Sequence, residues 1–125
     1  MSMSVEQFLS LSDTEQLQTI KDLNDSGNVK TIIDVLTSVG IENLSIPLLG
    51  ELGRAYNNNG NEEEAIKVFK AIDTEYRDAV WHYRCAYSHG SIASTNHEAY
   101  TSENMQQMLA LVDNGVRLAT KEGRN

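Results

Sequence analysis

Hydrophobic residues between positions 46 and 72 recur every three or four residues, in two runs separated by a polar stretch. The residues of the two runs are Leu48, Leu49, Leu52, Ala55 and Tyr56, and then Ala65, Ile66, Phe69 and Ile72. This spacing is typical of one face of an α-helix. The polar stretch from Asn57 to Gly60 ends the first helix. Because only a few residues join the two amphipathic helices, the pattern predicts an antiparallel helical hairpin.

A similar arrangement of residues stands 33 positions earlier in the chain. Gly27 and Asn28 precede an apolar run in the way that Gly60 and Asn61 do. In register, the two runs are Ile32, Ile33, Val35, Leu36 and Val39, and Ala65, Ile66, Val68, Phe69 and Ile72. A constant offset of this length predicts stacked copies of one helical hairpin, each leaning on the next.

A third hairpin is predicted when the offset is carried forward. Ala86 then takes the position of Gly53, so that a small residue again stands where the two helices of a hairpin cross most closely. The hairpins would cover about residues 12–39, 46–73 and 79–122 of a single domain, residues 1–125. Between the helices of the third hairpin, the segment from Ser91 to Ser102 is rich in Ser, Thr and Asn. We expect an insertion or a frayed loop there.

Both ends of the chain carry signals for additional helices. Ser4 and Gln7 have the spacing of a capping box and predict a short helix from about Ser4 to Leu11, and Ser12 and Glu15 repeat that spacing before the next helix. Near the other end, an apolar stripe predicts a long closing helix that ends at Gly123. Its residues are Met105, Met108, Leu109, Val112, Val116 and Ala119. The only proline, Pro47, falls in the first turn of a predicted helix, where proline is tolerated.

The central hairpin resembles the tetratricopeptide repeat. The residues that carry the resemblance are Leu52, Gly53, Tyr56, Gly60, Ala65 and Phe69. The chain departs from the repeat pattern at Ile72, where the residue is usually small, and at Arg77, near where a proline often stands. The resemblance implies an all-α fold, a right-handed stack of about three antiparallel hairpins that binds another protein or a peptide. The amino-acid sequence of residues 81–84 is also similar to that of bacterial members of the family, which suggests a bacterial source.

In repeats of this family the first helix of each hairpin lines a concave groove. The resemblance therefore implies that groove residues lie off the packing stripe of these helices: Leu17, Lys21, Asn24, Gly50, Arg54, Asn57, Asn58, Tyr83 and Tyr87. Tyr, Arg and Asn are suited to binding, since rings give contact area and Arg and amides give directed hydrogen bonds. The other interpretation is structural. In that case Tyr83 and Tyr87 pack against the final helix, and Arg54 pairs with Glu51 or Asp78.

The charge of the chain limits its partners. A net charge of -8 and a pI near 4.7 argue against nonspecific binding of nucleic acid, which needs a basic surface. No apolar run is long enough to span a bilayer and no leader is evident, so we expect a cytoplasmic protein without a membrane partner. Acidity also supports an alternative to the adaptor, an immunity or inhibitor protein that masks a basic partner such as a toxin nuclease. A homodimer through a terminal hairpin is a further possibility.

His82, Cys85 and His89 form the sharpest candidate metal site. Their spacing places all three on one predicted helix, where their side chains could point the same way. They would then supply three of the four ligands that zinc prefers. A fourth ligand is not evident in the sequence. The repeat register offers packing against the partner helix as the alternative, and we expect no metal and no other cofactor.

Catalytic motifs are weak in this sequence. Cys85 as a nucleophile would need an exposed thiol, whereas a crossing point between helices predicts burial. His97 and Glu98 begin like a metalloprotease helix, but Thr101 stands where the second His would be needed. The acidic run from Glu62 to Glu64 occupies the first turn of a predicted helix, where negative charge complements the helix dipole. We therefore expect that the protein is not an enzyme.

Overall fold

The computed structural model describes residues 3–95 and 102–122, and this part of the chain is all-helical. Its α-helices are α1 (Val5–Leu9), α2 (Asp13–Asp25), α3 (Val29–Val39), α4 (Ile46–Asn58), α5 (Glu62–Lys70), α6 (Ala79–Thr95) and α7 (Ser102–Lys121). Short 3-10 turns, Ile41–Asn43 and Thr74–Tyr76, follow α3 and α5. Within the described residues no strand occurs. The prediction of an all-α fold is confirmed.

Local side-chain signals define the starts of three helices. Ser4 and Gln7 form the expected capping box at α1, and Ser12 and Glu15 form the second one at α2. In each box the serine hydroxyl accepts a hydrogen bond from a backbone N–H that would otherwise lack a partner. The side-chain oxygen of Gln7 or Glu15 in turn accepts a hydrogen bond from the backbone N–H of the serine. At the start of α4 the Ser45 hydroxyl accepts a hydrogen bond from the Leu48 N–H, and Pro47 lies in the first turn. The capping boxes predicted from the sequence are confirmed.

The turns at Gly27 and Gly60 have the same backbone geometry. Their φ angles are +81° and +80°, a left-handed conformation that glycine adopts without steric cost. After α2, the Asn28 N–H donates to the Leu23 carbonyl at 2.8 Å, and after α4 the Asn61 N–H donates to the Tyr56 carbonyl at 2.8 Å. This is the hydrogen-bond pattern of the Schellman motif, which satisfies carbonyls at a helix end. The bend therefore recurs 33 residues apart, as the sequence predicts.

One hydrophobic core extends from α1 to α6. Consecutive helices joined by these turns pack against each other, and α2, α4 and α6 also contact in that order, with α4 between the other two. We call α2, α4 and α6 the first helices. Fully buried core residues are contributed by α1 to α6 and include Phe8, Ile20, Ile32, Leu36, Leu52 and Phe69.

Gly53 on α4 lies against the ring of Phe69 on α5. A Cβ atom on Gly53 would overlap with the ring of Phe69, and Ala65 on α5 is fully buried. The phenylalanine ring thus occupies the space that a side chain at position 53 would need. Leu52 and Phe69 belong to the same core cluster, in agreement with the predicted pairing of these two helices.

The third pair of helices differs from the prediction in one respect. Helix α6 continues to Thr95, so residues 91–95 are helical and not part of an insertion or a loop. The Ser91 hydroxyl donates a hydrogen bond to Glu62 on α5 at 2.8 Å, which holds this extension against the preceding hairpin. The remainder of the expected loop, including His97, Glu98 and Thr101, and the helix end expected at Gly123 lie outside the described residues.

Candidate functional site

The first helices form one wall of a groove with a volume of about 400 Å³. Helix α2 contributes residues from its middle, α4 and α6 contribute residues from their N-terminal halves, and the turn Thr74–Tyr76 contributes Tyr76. Residues that define its chemistry are Leu17, Lys21, Gly50, Tyr76, Trp81 and Arg84.

Two groups in the groove are available to a ligand. Lys21 is exposed, and its ammonium group makes no ion pair or hydrogen bond with any residue that the structure describes. Tyr76 is 54% exposed although it is aromatic. A free cation and an exposed ring that line the same groove give it both a directed electrostatic contact and an apolar contact surface.

Trp81 forms a fixed part of the groove wall. Its indole N–H donates to the Phe69 carbonyl at 2.8 Å, and the Phe69 ring meets it edge to face with centroids 6.5 Å apart. The guanidinium of Arg77 lies over the indole ring at 4.5 Å, within the range of a cation–π contact. Because these contacts hold the ring from several directions, the wall is organised before any ligand arrives.

A buried carboxylate in the lining of the groove ties the first helices together. Glu51 on α4 accepts hydrogen bonds from Arg54 and Arg84, each at 3.2 Å, although the residue is only 5% exposed. Arg84 on α6 also donates to the Gly50 carbonyl at 3.1 Å, and Arg54 pairs with Asp25 on α2 at 2.8 Å. The positive charges of the two arginines therefore balance the negative charges of the two carboxylates. This part of an acidic chain is locally neutral.

The pKa of Arg54 reflects that arrangement. Partial burial acts to lower its pKa, but the hydrogen bond to Asp25 and the nearby charge of Glu51 raise it above the ordinary value. The guanidinium stays charged in any case. Arg54 is consequently committed to its two internal partners.

Asn24 and Asn57 have the same role at equivalent positions of α2 and α4. The Asn24 side-chain amide donates to the Glu51 carbonyl at 3.0 Å, and the Asn57 amide donates to the Arg84 carbonyl at 3.0 Å, 27 residues further along in both cases. Both asparagines are buried. Ser88 donates to the Asn57 side-chain oxygen at 2.6 Å. Each asparagine thus links one first helix to the next.

The expected groove residues separate into four groups. Leu17, Lys21 and Gly50 line the groove. Asn24 and Asn57 do not present their amides on its surface, because both are buried between helices, and Arg54 is engaged internally as the structural interpretation proposed. Asn58 is exposed but does not line the groove. Tyr83 and Tyr87 line a different surface, between α6 and α7.

Sequence reasoning missed Tyr76, Trp81 and Arg84 as groove residues. A usable signal existed for Arg84. It stands 33 positions after Glu51, and equivalent positions of adjacent first helices lie close together, so opposite charges at that offset predict an ion pair. Tyr76 lacked such a signal because it belongs to the polar break between α5 and α6.

His82, Cys85 and His89 do not form a metal site. Cys85 and His89 are buried, whereas His82 is half-buried with its Nδ1 atom 2.8 Å from the Asp78 carbonyl. Across residues 3–95 and 102–122, no three His, Cys, Asp or Glu side chains are arranged to hold a metal ion. Burial raises the pKa of the Cys85 thiol to about 11, against the opposing effect of Lys70 and Arg77. The thiol is therefore protonated near neutral pH, which makes it a poor nucleophile.

None of the helices in the described part of the chain combines the length and apolar character needed to cross a membrane.

Comparisons with known proteins add no family to this geometry. Neither models of known protein families, nor curated proteins, nor solved structures give a match to the chain. Its function has to be inferred from the groove itself.

Proposed function

We propose that the chain is a noncatalytic interaction module that binds a peptide, or an extended segment of a partner protein, in the groove between the first helices. The observation that carries this proposal is the groove itself, which is lined by the free ammonium of Lys21, the exposed ring of Tyr76 and the fixed indole of Trp81. Such an arrangement suits a ligand that offers a carboxylate to the lysine and an apolar side chain to the aromatic wall.

Rigidity of the groove supports binding over catalysis. Trp81 and Arg84 are held by internal hydrogen bonds, so the wall does not have to be ordered when a ligand binds. Preorganised surfaces bind better because they lose less conformational entropy on association. The one cysteine is buried as a neutral thiol, and no activated nucleophile faces the groove among the residues described.

We further propose that the helices form a tetratricopeptide-like stack of three hairpins. The support comes from features that recur at one spacing: the turns at Gly27 and Gly60, and the hydrogen bonds made by Asn24 and Asn57. Repetition of both backbone and side-chain geometry is what stacked copies of one unit require. In that architecture the first helices line the inner surface, which is where the groove lies.

The test begins with selection of binding peptides from a random displayed library by the full chain. Affinity of a selected peptide is then measured by calorimetry for wild type, Lys21→Glu and Tyr76→Ala. We expect the dissociation constant to rise at least about tenfold in each variant, because each removes a direct contact. Lys30→Glu is the matched control, since it makes the same charge change at an exposed lysine of α3 outside the groove.

The same measurements distinguish the inhibitor alternative. An acidic protein that masks a basic partner should select lysine- and arginine-rich peptides, bind them with a steep loss of affinity at high salt, and respond equally to Lys21→Glu and Lys30→Glu. Binding insensitive to both Lys21→Glu and Tyr76→Ala would reject the groove as the site.

A further inference from the structure

A second surface, between α6 and α7, exposes a group of apolar and aromatic side chains. Tyr83 is 72% exposed, Val116 59% and Val112 45%. Two adjoining hollows of about 450 Å³ and 310 Å³ follow the groove between the helices, and Tyr83 and Val112 border both of them. We call this surface the α6–α7 face, formed by Tyr83, Tyr87, Leu109, Val112 and Val116.

The position of this face along the chain indicates what it accommodates. On α4, Gly50 and Asn57 contact Arg84 and so mark the side on which α6 packs. The residues 33 positions later on α6 are Tyr83 and Gly90, and both border the hollows of the α6–α7 face. The face is therefore the equivalent, on the last pair of helices, of the side that receives a helix on the preceding pair. Its large exposed residues favour the same kind of occupant, an amphipathic helix.

We propose that the occupant is α7 of a second copy of this chain, so that two copies associate through their α6–α7 faces about a two-fold axis. Helix α7 has the required amphipathic character, because Leu109, Val112 and Val116 form an exposed apolar row while Leu111 packs on the core. Small residues at the floor of the hollows, Ala86 and Ala119 among them, leave space for that row.

Under this symmetry, charged residues beside the apolar row of one copy face residues of opposite charge on the other copy. Asp113 and Arg117 lie one turn apart on α7, both largely exposed, and form an ion pair at 3.1 Å. Gly115 itself faces α6 of its own chain. When two α7 helices cross antiparallel through their exposed rows at the level of Gly115, Asp113 of one copy faces Arg117 of the other, and the reverse pair forms at the same time. Two copies brought together in this way meet opposite charges and no like charges at these positions, which is why a second copy is preferred over an unrelated helix.

Net charge acts against the association at long range. Each copy carries a formal charge of -8, so two copies repel one another until the apolar faces meet. Salt screens that repulsion, whereas the burial of apolar surface does not depend on it. We therefore expect the dimer to become tighter as the salt concentration rises, opposite to the behaviour expected of a charge-masking complex.

Sedimentation equilibrium of the full chain tests the proposal. Wild type is expected to dimerise, and Val116→Glu to raise the dissociation constant of the dimer at least about a hundredfold, because a carboxylate would be buried in an apolar contact. Leu9→Glu is the matched control. Leu9 is 56% exposed, close to the value for Val116, and lies on α1 far along the chain from this face. The control should change the dissociation constant by less than about threefold.

Charge reversal supplies the second measurement. Asp113→Arg alone and Arg117→Asp alone should each weaken the dimer by about threefold to thirtyfold, and the double variant should recover most of that loss. A wild-type chain that stays monomeric at millimolar concentration and high salt would overturn the proposal. So would dimers unaffected by Val116→Glu, or charge variants whose losses add instead of cancelling. Circular dichroism verifies that each variant remains helical, and peptide binding in the groove should be unchanged by Val116→Glu.

Discussion

The side-chain amide of Asn57 donates to the backbone carbonyl of Arg84 at 3.0 Å and in doing so joins α4 to α6. Its oxygen accepts from the hydroxyl of Ser88, a residue with no exposed surface. Helices usually pack through apolar side chains, and a buried amide between them fixes their register more strictly because its hydrogen bonds hold in one alignment only. Asn24 makes the corresponding bond one unit earlier, to the Glu51 carbonyl.

Replacing this amide should be costly. Asn57→Ala leaves the buried Ser88 hydroxyl and the Arg84 carbonyl with fewer partners, and we expect the free energy of unfolding to fall by about 2 kcal/mol. Urea unfolding followed by circular dichroism measures the change. Asn58→Ala is an internal control on the next residue of the same helix, because Asn58 is exposed. It should alter stability by less than about 0.5 kcal/mol. Equal effects of the two variants would contradict the structural role assigned to Asn57.

Gly53 and Gly50, one turn apart on α4, should respond in opposite ways to alanine. At position 53 the added methyl group would overlap with the Phe69 ring, so Gly53→Ala is expected to destabilise the protein by about 1 to 3 kcal/mol. At position 50 the nearest atom, an Arg84 guanidinium nitrogen, is at an ordinary contact distance of 3.5 Å. Gly50→Ala should therefore stabilise the helix by up to about 1 kcal/mol, through the higher helix propensity of alanine.

A double variant identifies the cause of the Gly53 effect. If the overlap with the ring is responsible, combining Gly53→Ala with Phe69→Leu should cost at least about 0.5 kcal/mol less than the sum of the two single changes. Strict additivity would show that position 53 is limited by something other than Phe69. Thermal unfolding of the four proteins, measured in one buffer, completes the cycle.

Much of the fold follows from local sequence signals, whereas the site depends on neighbours. Ser12 and Glu15 cap a helix wherever they occur at that spacing, and a glycine such as Gly60 supplies its turn from its own backbone freedom. Asparagine has no such fixed consequence. Asn57 and Asn58 have the same chemistry, yet one is buried and the other exposed. Only the packing of α6 on α4 distinguishes them.

Tyr76 and the end of α6 show the same limit. The polar break between α5 and α6 predicts a turn but not its shape, and a 3-10 turn is what brings Tyr76 to the groove. Similarly, the Ser- and Thr-rich composition after Ser91 favours a loop by local preference. The helix gains contacts with its neighbours that the composition does not reveal. The hydrogen bond from Ser91 to Glu62 on α5 is one of them.

Loss of the Glu51 carboxylate should destabilise the packing of the first helices at the groove. Glu51→Ala leaves two partly buried arginines without one of their partners, and the expected cost is about 2 to 3 kcal/mol, less than for a fully buried pair because Arg54 and Arg84 retain some contact with water. The exposed pair of Glu64 and Lys67 provides the comparison, since Glu64→Ala should cost less than about 0.5 kcal/mol.

The cycle of Glu51→Ala and Arg84→Ala separates the pair from its surroundings. A coupling free energy of about 1 kcal/mol or more is expected, because both single changes remove the same ion pair between α4 and α6. Chemical denaturation in urea is suitable, since guanidinium salts would screen the charges under study. Coupling near zero would mean that the two side chains act independently, despite their separation of 3.2 Å.

Burial of Cys85 predicts a loss of stability at alkaline pH. The folded-state pKa of its thiol is raised from 9.0 to about 11, so between these values the unfolded chain releases a proton that the folded chain retains. The folded state binds more protons in this range, and the free energy of unfolding therefore falls as pH rises from about 9 to about 11. Below pH 9 the contribution of this group is fully present. Above pH 11 no further loss arises from it.

Cys85→Ala isolates the effect, because it removes the titrating group and leaves all other alkaline titrations in place. Wild type should lose at least about 1 kcal/mol more than this variant between pH 8.5 and 11, measured by urea unfolding at each pH under reducing conditions. Reaction of the thiol with an aromatic disulfide reagent at pH 8 gives an independent measure. It should be slow in the folded protein and at least about a hundredfold faster in urea, since the thiolate is the reactive form and the side chain is shielded from solvent. Rapid labelling of the folded chain, or parallel pH profiles of wild type and Cys85→Ala, would show that the thiol is accessible and that its pKa is not raised.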